Sequence, residues 1–457
     1  MSIITNRMVV AAGVMCAAAG AGIAGQTAQQ APQTLKAGAS VYVIQGAKIN
    51  TLAGAPIEKG TIVIENGRIK AVGANVPAPA GAEVLKADGL EVYPGIFDSV
   101  SELGLTEIGS VNATNDINEI GPYNPQLVAA SAVHPPSEHI PVARANGITH
   151  ALAVPGLGRG GAVMGGQASA ISLSGWTVEE MMLRPSVALA VNWPSLSSGG
   201  GEGFGPRRAR PFSELKAEYD RKIREIEDWI ERARRYQQVT EKAAASRVDR
   251  DLKLEALGPV VRGELPLLVN ADDDRDIKNA IEFCEKHKLK LIIAGGSDSY
   301  KIADLLAKKG VPVILGPVQA IPSDHEWYDA RNTTPGVLQK AGVKFAMASF
   351  NSSDSRNLPY EIGNAVSYGL PKEEALKAIT LYPAQILGLS DRVGTLEPGK
   401  VANLIVTNGD PLEFRTEVKH LFINGQPTST ENKHRSMYEK WRSRPRPAQS
   451  AAPTATK

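Results

Sequence analysis

Eight short apolar runs that alternate with helical patterns most strongly constrain the fold. Their lengths and flanking turns are typical of buried β-strands, and helices follow several of them. The runs are 92–97, 149–154, 168–173, 187–192, 265–270, 289–294, 311–315 and 343–348, and helical patterns cover 275–287, 300–309 and 372–380. Eight parallel strands with intervening helices predict an α/β fold, a (β/α)8 TIM-like barrel over residues 91–390. A doubly wound open sheet is the alternative, and the count of eight favours the barrel.

Two β-rich segments flank the predicted barrel. Within residues 40–90, "TIVIENGRIKAVG" is typical of a hairpin, because Asn66 and Gly67 form the residue pair that a type I′ turn requires. Residues 391–428 show the same pattern of short strands and turns, with Asn424 and Gly425 at a second turn. The two segments therefore predict one small composite β-sandwich domain built from both chain ends.

One further stretch interrupts the barrel pattern. A long charged segment carries an apolar stripe at helical spacing and several pairs of opposite charge four residues apart. It predicts a helical insertion at about 205–262 that packs over the flank of the barrel.

The two ends of the chain have distinct compositions. Arg7 precedes an apolar run rich in Ala and Gly, which predicts a signal peptide over 1–24 and a linker over 25–39. We therefore expect an exported, periplasmic protein without stable membrane insertion after cleavage. Residues 429–457 are basic and rich in Pro and Ala, which predicts a disordered tail.

The charge balance restricts the partners of the chain. Lys and Arg number 50 against 48 Asp and Glu, and aromatic residues make up 5%. Nucleic-acid binding requires a strong basic excess, so no nucleic-acid partner is expected. The expected partner is a small-molecule or peptide-like ligand at the barrel mouth, and a homo-oligomer is compatible with the sequence.

Three motifs carry a family resemblance. They are "GTIVIENGRIKAVG" (60–73), "YPGIFD" (93–98) and "TLYPAQILGLSDRVGTLEPGKVANLIV" (380–406). In this order they resemble the amidohydrolase superfamily, in the branch of imidazolonepropionase and related amide- and dipeptide-cleaving enzymes, over nearly all of residues 40–428. The resemblance implies hydrolysis of carbon–nitrogen bonds by a metal, usually zinc, which activates water at the C-terminal mouth of the barrel. It also implies metal ligands in a His-x-His pair after strand 1, histidines ending strands 5 and 6, and an aspartate ending strand 8.

The expected metal ligands are replaced in this chain. Asp98 of the strand 1 motif is kept, but the ligand positions hold Val100, Glu102, Asn270, Gly295 and Phe350. Strand 4, which carries a carboxylated lysine in some family members, ends at Asn192. Val, Gly and Phe side chains cannot bind a metal, so neither a metal site nor a cofactor is expected.

Polar residues at the predicted mouth remain candidates for a different site. Glu102 and Asp272 are the candidate catalytic residues, because two close carboxyl groups can divide acid and base roles. Candidate ligand-binding residues are Asp98, Ser101, Gln167, Asn192, Asn270, Ser297, His325 and Asp354. Oxygen ligands from Glu102, Asn270 and Asp272 for a hard cation are a second interpretation, and a catalytically inactive mouth is a third. His287 is expected to face solvent at a helix end.

The sequence therefore predicts an exported amidohydrolase-family protein, by resemblance a hydrolase of amide-type, non-peptide carbon–nitrogen bonds. The loss of the His and Asp ligands argues against ordinary zinc-dependent hydrolysis. The alternative is a catalytically inactive barrel protein that binds a ligand or a partner.

Overall fold

A computed structural model describes residues 35–158, 161–196, 211–242, 249–322 and 326–445 of the 457-residue chain. The predicted signal peptide, most of the predicted linker and the last residues of the tail lie outside the described residues. In the part of the chain that is described, no helix is both long and apolar enough to cross a membrane.

The first five strands lie in a small sheet. They are β1 (Val41–Ile49), β2 (Ile57–Glu65), β3 (Arg68–Gly73), β4 (Glu83–Lys86) and β5 (Glu91–Pro94). β2 and β3 form the predicted hairpin, with left-handed backbone at Asn66 (φ 51°) and Gly67 (φ 80°). Asparagine and glycine adopt this conformation at low cost, which is why the pair specifies the turn.

The next eight strands form the predicted barrel. They are β6 (Ile96–Ser101), β7 (Ile148–Ala153), β8 (Met164–Ser172), β9 (Met182–Asn192), β10 (Leu267–Ala271), β11 (Leu291–Gly295), β12 (Val313–Leu315) and β13 (Phe345–Met347). They lie side by side in chain order, which confirms the barrel and excludes a doubly wound sheet. The Phe350 N–H donates to the Val100 carbonyl (2.9 Å), so the β13 side nearly closes onto β6.

The prediction of eight parallel strands was wrong for one strand. β8 runs antiparallel to both neighbours, with Ser172 opposite His150 and Ala168 opposite Ala188. Apolar alternation shows that a segment is a strand but carries no information on its direction. The reversal places the end of β8 beside the start of β7, at the end of the barrel opposite the predicted mouth.

The last three strands complete the small sheet from the other chain end. They are β14 (Leu404–Thr407), β15 (Val418–Ile423) and β16 (Gln426–Thr428). β14 pairs with β5 and β15, which confirms the composite domain, and Asn424 and Gly425 form the second predicted turn. The strands form one continuous sheet, and a bridge between Arg68 and Val401 brings its β3 end back toward β14.

Eleven α-helices occur in the described residues. They are α1 (His139–Ala145), α2 (Val178–Met181), α3 (Phe212–Lys242), α4 (Leu252–Val261), α5 (Asp274–Lys286), α6 (Ala303–Lys309), α7 (Ala330–Ala341), α8 (Leu358–Ser367), α9 (Lys372–Ala378), α10 (Leu381–Ile386) and α11 (Lys433–Arg442). α3 and α4 are the predicted insertion, and Ile226, Ile230 and Ala233 of α3 are buried in the main core as the apolar stripe predicts.

Helix α11 corrects the prediction of a disordered tail for residues 433–442. The Asn432 side chain accepts a hydrogen bond from the Arg435 N–H, which caps the first turn. Lys, Arg, Glu and Met favour helices, so the basic composition does not prevent helix formation here. No residue of α11 is buried.

His287 also differs from expectation. Its side chain is only 4% exposed and packs against Phe283, with ring centroids 4.5 Å apart. Glu227 of α3 lies 3.3 Å from its Nε2 atom, so the insertion covers the helix end that would otherwise face solvent.

Candidate functional site

The C-terminal ends of β10–β13 surround a cavity of about 200 Å³. Parallel barrel strands direct their C-terminal ends to one face, where the loops after them converge. The polar side chains that line it are Asn270, Asp272, Ser297, Arg331 and Thr334, and Phe350 contributes an apolar wall. The structure therefore brings together three of the predicted site residues, Asn270, Asp272 and Ser297.

The residues at the expected metal-ligand positions do not fit a zinc ion. Val100 is an apolar core residue, 3% exposed. Gly295 has a φ of 88°, and a Cβ added there would lie 2.7 Å from Asp272 Oδ1, so a histidine does not fit without rearrangement. Phe350 takes the place of the expected aspartate. Within the described ranges, no group of three or more His, Cys, Asp or Glu side chains is arranged to hold a metal ion.

Asp98 binds the protein rather than a ligand. Its carboxylate is completely buried and accepts hydrogen bonds from the Ser349 N–H (2.9 Å) and the Ser349 hydroxyl (2.5 Å). Burial raises the pKa of the Asp98 carboxyl, and the bonds from Ser349 oppose the rise. Asp98 thus joins β6 to the segment after β13, and its expected role as a ligand-binding residue is corrected.

Asp272 has the same kind of partner in a different environment. Its Oδ1 atom accepts hydrogen bonds from the Ser297 N–H (3.2 Å) and the Ser297 hydroxyl (2.9 Å). Unlike Asp98, Asp272 is exposed, and it lines the cavity. One carboxylate oxygen therefore holds the loop after β11, and the carboxylate is still accessible from the mouth.

Asn192 fixes the glycine-rich loop after β7. Its Oδ1 atom accepts from the Gly158 N–H (2.8 Å), and its Nδ2 atom donates to the carbonyls of Gly156 (2.6 Å) and Ala162 (2.8 Å). Asn270 donates to the same Oδ1 atom (3.2 Å). Asn192 is therefore a positioning residue beside the cavity, and through it Asn270 is linked to the loop.

Three other predicted ligand-binding residues are engaged within the protein. The Gln167 amide donates to the Pro125 carbonyl (3.0 Å) and accepts from the Ser186 hydroxyl. The Ser101 hydroxyl is buried and accepts from the Leu103 N–H (3.3 Å). Asp354 accepts from the Asn357 side chain (3.4 Å) at the start of a short 3₁₀ helix. None of the three lines the mouth cavity, and His325 lies outside the described residues.

The predicted pair of Glu102 and Asp272 does not share this cavity. Glu102 is half-buried, and burial raises the pKa of its carboxyl while Thr106 opposes the rise. It is absent from the residues that line the cavity around Asp272. The hard-cation interpretation requires Glu102 beside Asn270 and Asp272. Asn270 and Asp272 line the cavity, but Glu102 does not.

Sequence reasoning missed Glu361, a buried carboxyl group next to the cavity. Glu361 lies in α8 and is 4% exposed, and its Oε2 atom accepts from the N–H of Val318, which lines the cavity (3.1 Å). Burial, and then the charges of Asp98 and Asp354, raise the pKa of Glu361 to about 7. Its signal in the sequence is a single charge within the largely apolar helix "LPYEIGNAVS".

Comparison with known proteins supports the resemblance. The model of the amidohydrolase family matches residues 275–428. Imidazolonepropionase of Picrophilus torridus is 27% identical over 189 residues, which are 40% of this chain and 46% of that protein. The chain belongs to the amidohydrolase superfamily.

Two further amidohydrolases align over most of the chain. Amidohydrolase tasK of Hapsidospora irregularis is 25% identical over 399 residues, 80% of this chain and 39% of that protein. The chain thus spans less than half the length of both curated relatives. The crystal structure of an amidohydrolase from Thermotoga maritima superposes with a TM-score of 0.75 at 28% identity, covering 85% of this chain and 99% of that one. The structural match to this amidohydrolase therefore extends over 85% of the chain.

Proposed function

We propose that this amidohydrolase-family protein binds a small amide-type ligand at the barrel mouth and does not act as a zinc-dependent hydrolase of carbon–nitrogen bonds. The observation that carries the proposal is that Val100, Gly295 and Phe350 stand at the expected metal-ligand positions. The cavity lined by Gly295 and Phe350 nevertheless has polar side chains in its wall. Zinc requires three or four nitrogen, sulfur or oxygen donors in a tight shell, which these side chains cannot supply.

The lining of the cavity suits an amide group. The Asp272 carboxylate can accept a hydrogen bond from an amide N–H, and the Arg331 guanidinium can donate to an amide carbonyl. Arg331 already donates to Glu326 (3.3 Å), which orients the guanidinium. Phe350 supplies an apolar surface for the rest of the ligand. At about 200 Å³, the cavity admits only a small molecule or the end of a larger one.

Metal-free hydrolysis of an amide is the second candidate function, and the raised pKa of Glu361 favours it. A carboxyl group with a pKa of about 7 can exchange a proton at neutral pH. Its contact with Val318 places it directly behind the cavity wall. Proton transfer to a ligand requires movement of that wall.

The test combines metal analysis, calorimetry and product detection on one preparation. We expect zinc well below one per chain, binding of small N-acyl amino acids or dipeptides, and no release of amine. Asp272→Asn removes a charge from the cavity and should weaken binding about tenfold, equivalent to about 1.4 kcal/mol. Asp391→Asn, an exposed aspartate outside the cavity, is the matched control.

Two outcomes contradict the proposal. One is stoichiometric zinc together with amide cleavage that a chelator abolishes. The other is equal binding by the Asp272→Asn variant and the unaltered protein. Cleavage that resists chelation and is lost in Glu361→Gln selects the metal-free hydrolase instead.

A further inference from the structure

A larger cavity, about 780 Å³, lies at the opposite end of the barrel. α1 leads into the start of β7, and the antiparallel β8 ends beside that start, so α1 and the segment after β8 both contribute residues here. The turn between β15 and β16 of the small sheet forms another wall. The volume lies within the range of small-molecule sites. Among the residues that line the cavity are Ile140, Arg144, Leu173, Trp176 and Met181.

Arg144 is the most unusual side chain in this cavity. Its Nη1 atom donates to the Leu173 carbonyl (3.1 Å), whereas its Nε atom is buried without a hydrogen-bond partner. No carboxylate of the described residues lies within ion-pair distance of its guanidinium. Burial lowers the pKa of Arg144, and no acidic neighbour opposes the change. A partly buried guanidinium without a counter-charge is costly, and an anion at this position would remove the cost.

The lining also contains apolar side chains next to Arg144. Trp176 is 92% exposed, although large aromatic side chains are normally buried. Ile140, Leu173 and Met181 lie around the same space. This surface is suited to cover an apolar or aromatic body once a ligand is bound.

Two carboxylates at the cavity restrict the charge of the ligand. Glu180 accepts a hydrogen bond from the backbone N–H of Trp176 (2.7 Å), and Glu138 is exposed. Both line the cavity, so a ligand with several negative charges would be repelled. A single carboxylate satisfies Arg144 with the least repulsion, and its planar form matches the guanidinium in two parallel hydrogen bonds.

We propose that this cavity is a second ligand site, in which Arg144 binds the carboxylate of a small molecule whose apolar body lies against Trp176 and Met181. The site is separate from the barrel mouth, and it does not depend on the function proposed there.

The test uses a pair of probes that differ in charge. Phenylacetate carries the carboxylate and an aromatic body, and phenylacetamide is its neutral counterpart of similar shape. We expect saturable binding of phenylacetate to the full chain by calorimetry and at least tenfold weaker binding of phenylacetamide. Arg144→Gln should weaken phenylacetate binding at least tenfold and leave phenylacetamide binding unchanged.

Control variants separate the cavity from other effects. Arg415→Gln removes an exposed arginine elsewhere and should bind phenylacetate normally. Trp176→Phe keeps an aromatic surface and should retain binding, whereas Trp176→Ala should lose most of it. Arg144→Lys keeps the charge without the paired hydrogen bonds, and its binding should lie between those of the unaltered protein and Arg144→Gln. If Arg144→Gln does not fold, Arg144→Lys provides the test of the role of Arg144.

Three results overturn the proposal. They are no saturable binding of phenylacetate, equal binding of the acid and the amide, or equal phenylacetate binding by the Arg144 variants and the unaltered protein. Loss of binding in Asp272→Asn, a variant of the mouth, would assign the bound probe to the mouth cavity and also overturn it.

Discussion

The barrel mouth contains the same carboxylate–serine arrangement twice. Asp98 accepts from the N–H and hydroxyl of Ser349, and Asp272 accepts from the N–H and hydroxyl of Ser297. Asp98 is completely buried, whereas Asp272 is exposed at the cavity. The same hydrogen bonds therefore lie out of contact with water on the β6 side of the mouth and in contact with water on the β10 side.

The difference shows how environment assigns a role to a carboxylate. A hydrogen bond to a buried charged group is strong, and loss of one partner leaves the other without water to replace it. At the surface, water replaces a lost partner at little cost. We therefore expect Asp98 to act mainly on stability and Asp272 mainly on ligand binding.

The largest effect is expected at the buried pair. Asp98→Ala leaves the Ser349 N–H buried without its acceptor and creates a small void, so the free energy of unfolding should fall by about 3 kcal/mol. Urea denaturation of the variant and of Asp391→Ala, an exposed control, measures the difference. A loss below about 1 kcal/mol would show that water reaches Ser349 and that the two pairs do not differ in environment.

The next largest effect is a pH dependence of stability that arises from the buried carboxyl group of Glu361. The folded-state pKa of Glu361, about 7, lies above its ordinary value of 4.5. Folded protein therefore holds a proton that unfolded protein releases, so its contribution to stability is full below pH 4.5 and is lost as pH rises through 7. Above that pH the ionised group lowers the free energy of unfolding by roughly 3 kcal/mol relative to the protonated form.

Glu361→Gln should remove this pH dependence, since a neutral amide can still accept from the Val318 N–H. The variant should be more stable than the unaltered protein at pH 8 and similar to it at pH 4, as measured by thermal unfolding. Glu413→Gln, at an exposed position, should show no such difference. A variant less stable at both pH values would mean that the charged carboxylate stabilises the fold.

The smallest effect on stability is expected at the exposed pair. Asp272→Ala should change the free energy of unfolding by less than about 1 kcal/mol, because water can hydrate Ser297. The same urea measurement applies, with Asp98→Ala as the reference. Destabilisation equal to that of Asp98→Ala would remove the contrast between the two sides of the mouth.

Local patterns predicted most of the fold. Apolar runs gave the position of every barrel strand to within a few residues, and the Asn66–Gly67 and Asn424–Gly425 pairs located two turns of the small sheet. These features depend on residues that are close in sequence, which is why a single sequence reveals them.

The candidate site was predicted less completely, because it depends on which distant residues meet. Asn270, Asp272 and Ser297 were anticipated from strand ends, but Arg331 comes from α7 and carries no local signal. The role of Asp98 depends on Ser349, 251 residues away. His287 was expected to face solvent but is buried, because residues of helix α3, which is distant in sequence, pack against it.

The reversed strand β8 has a consequence for the order of folding. It joins β7 and β9 into an antiparallel meander with short connections, residues 154–163 and 173–181. β9 and β10 pair only across the much longer segment 193–266. The entropy lost on closing a loop grows with its length, and contacts between nearby residues form faster. We therefore expect the meander to form early and the remaining strands to add to it, so that folding starts within one side of the barrel.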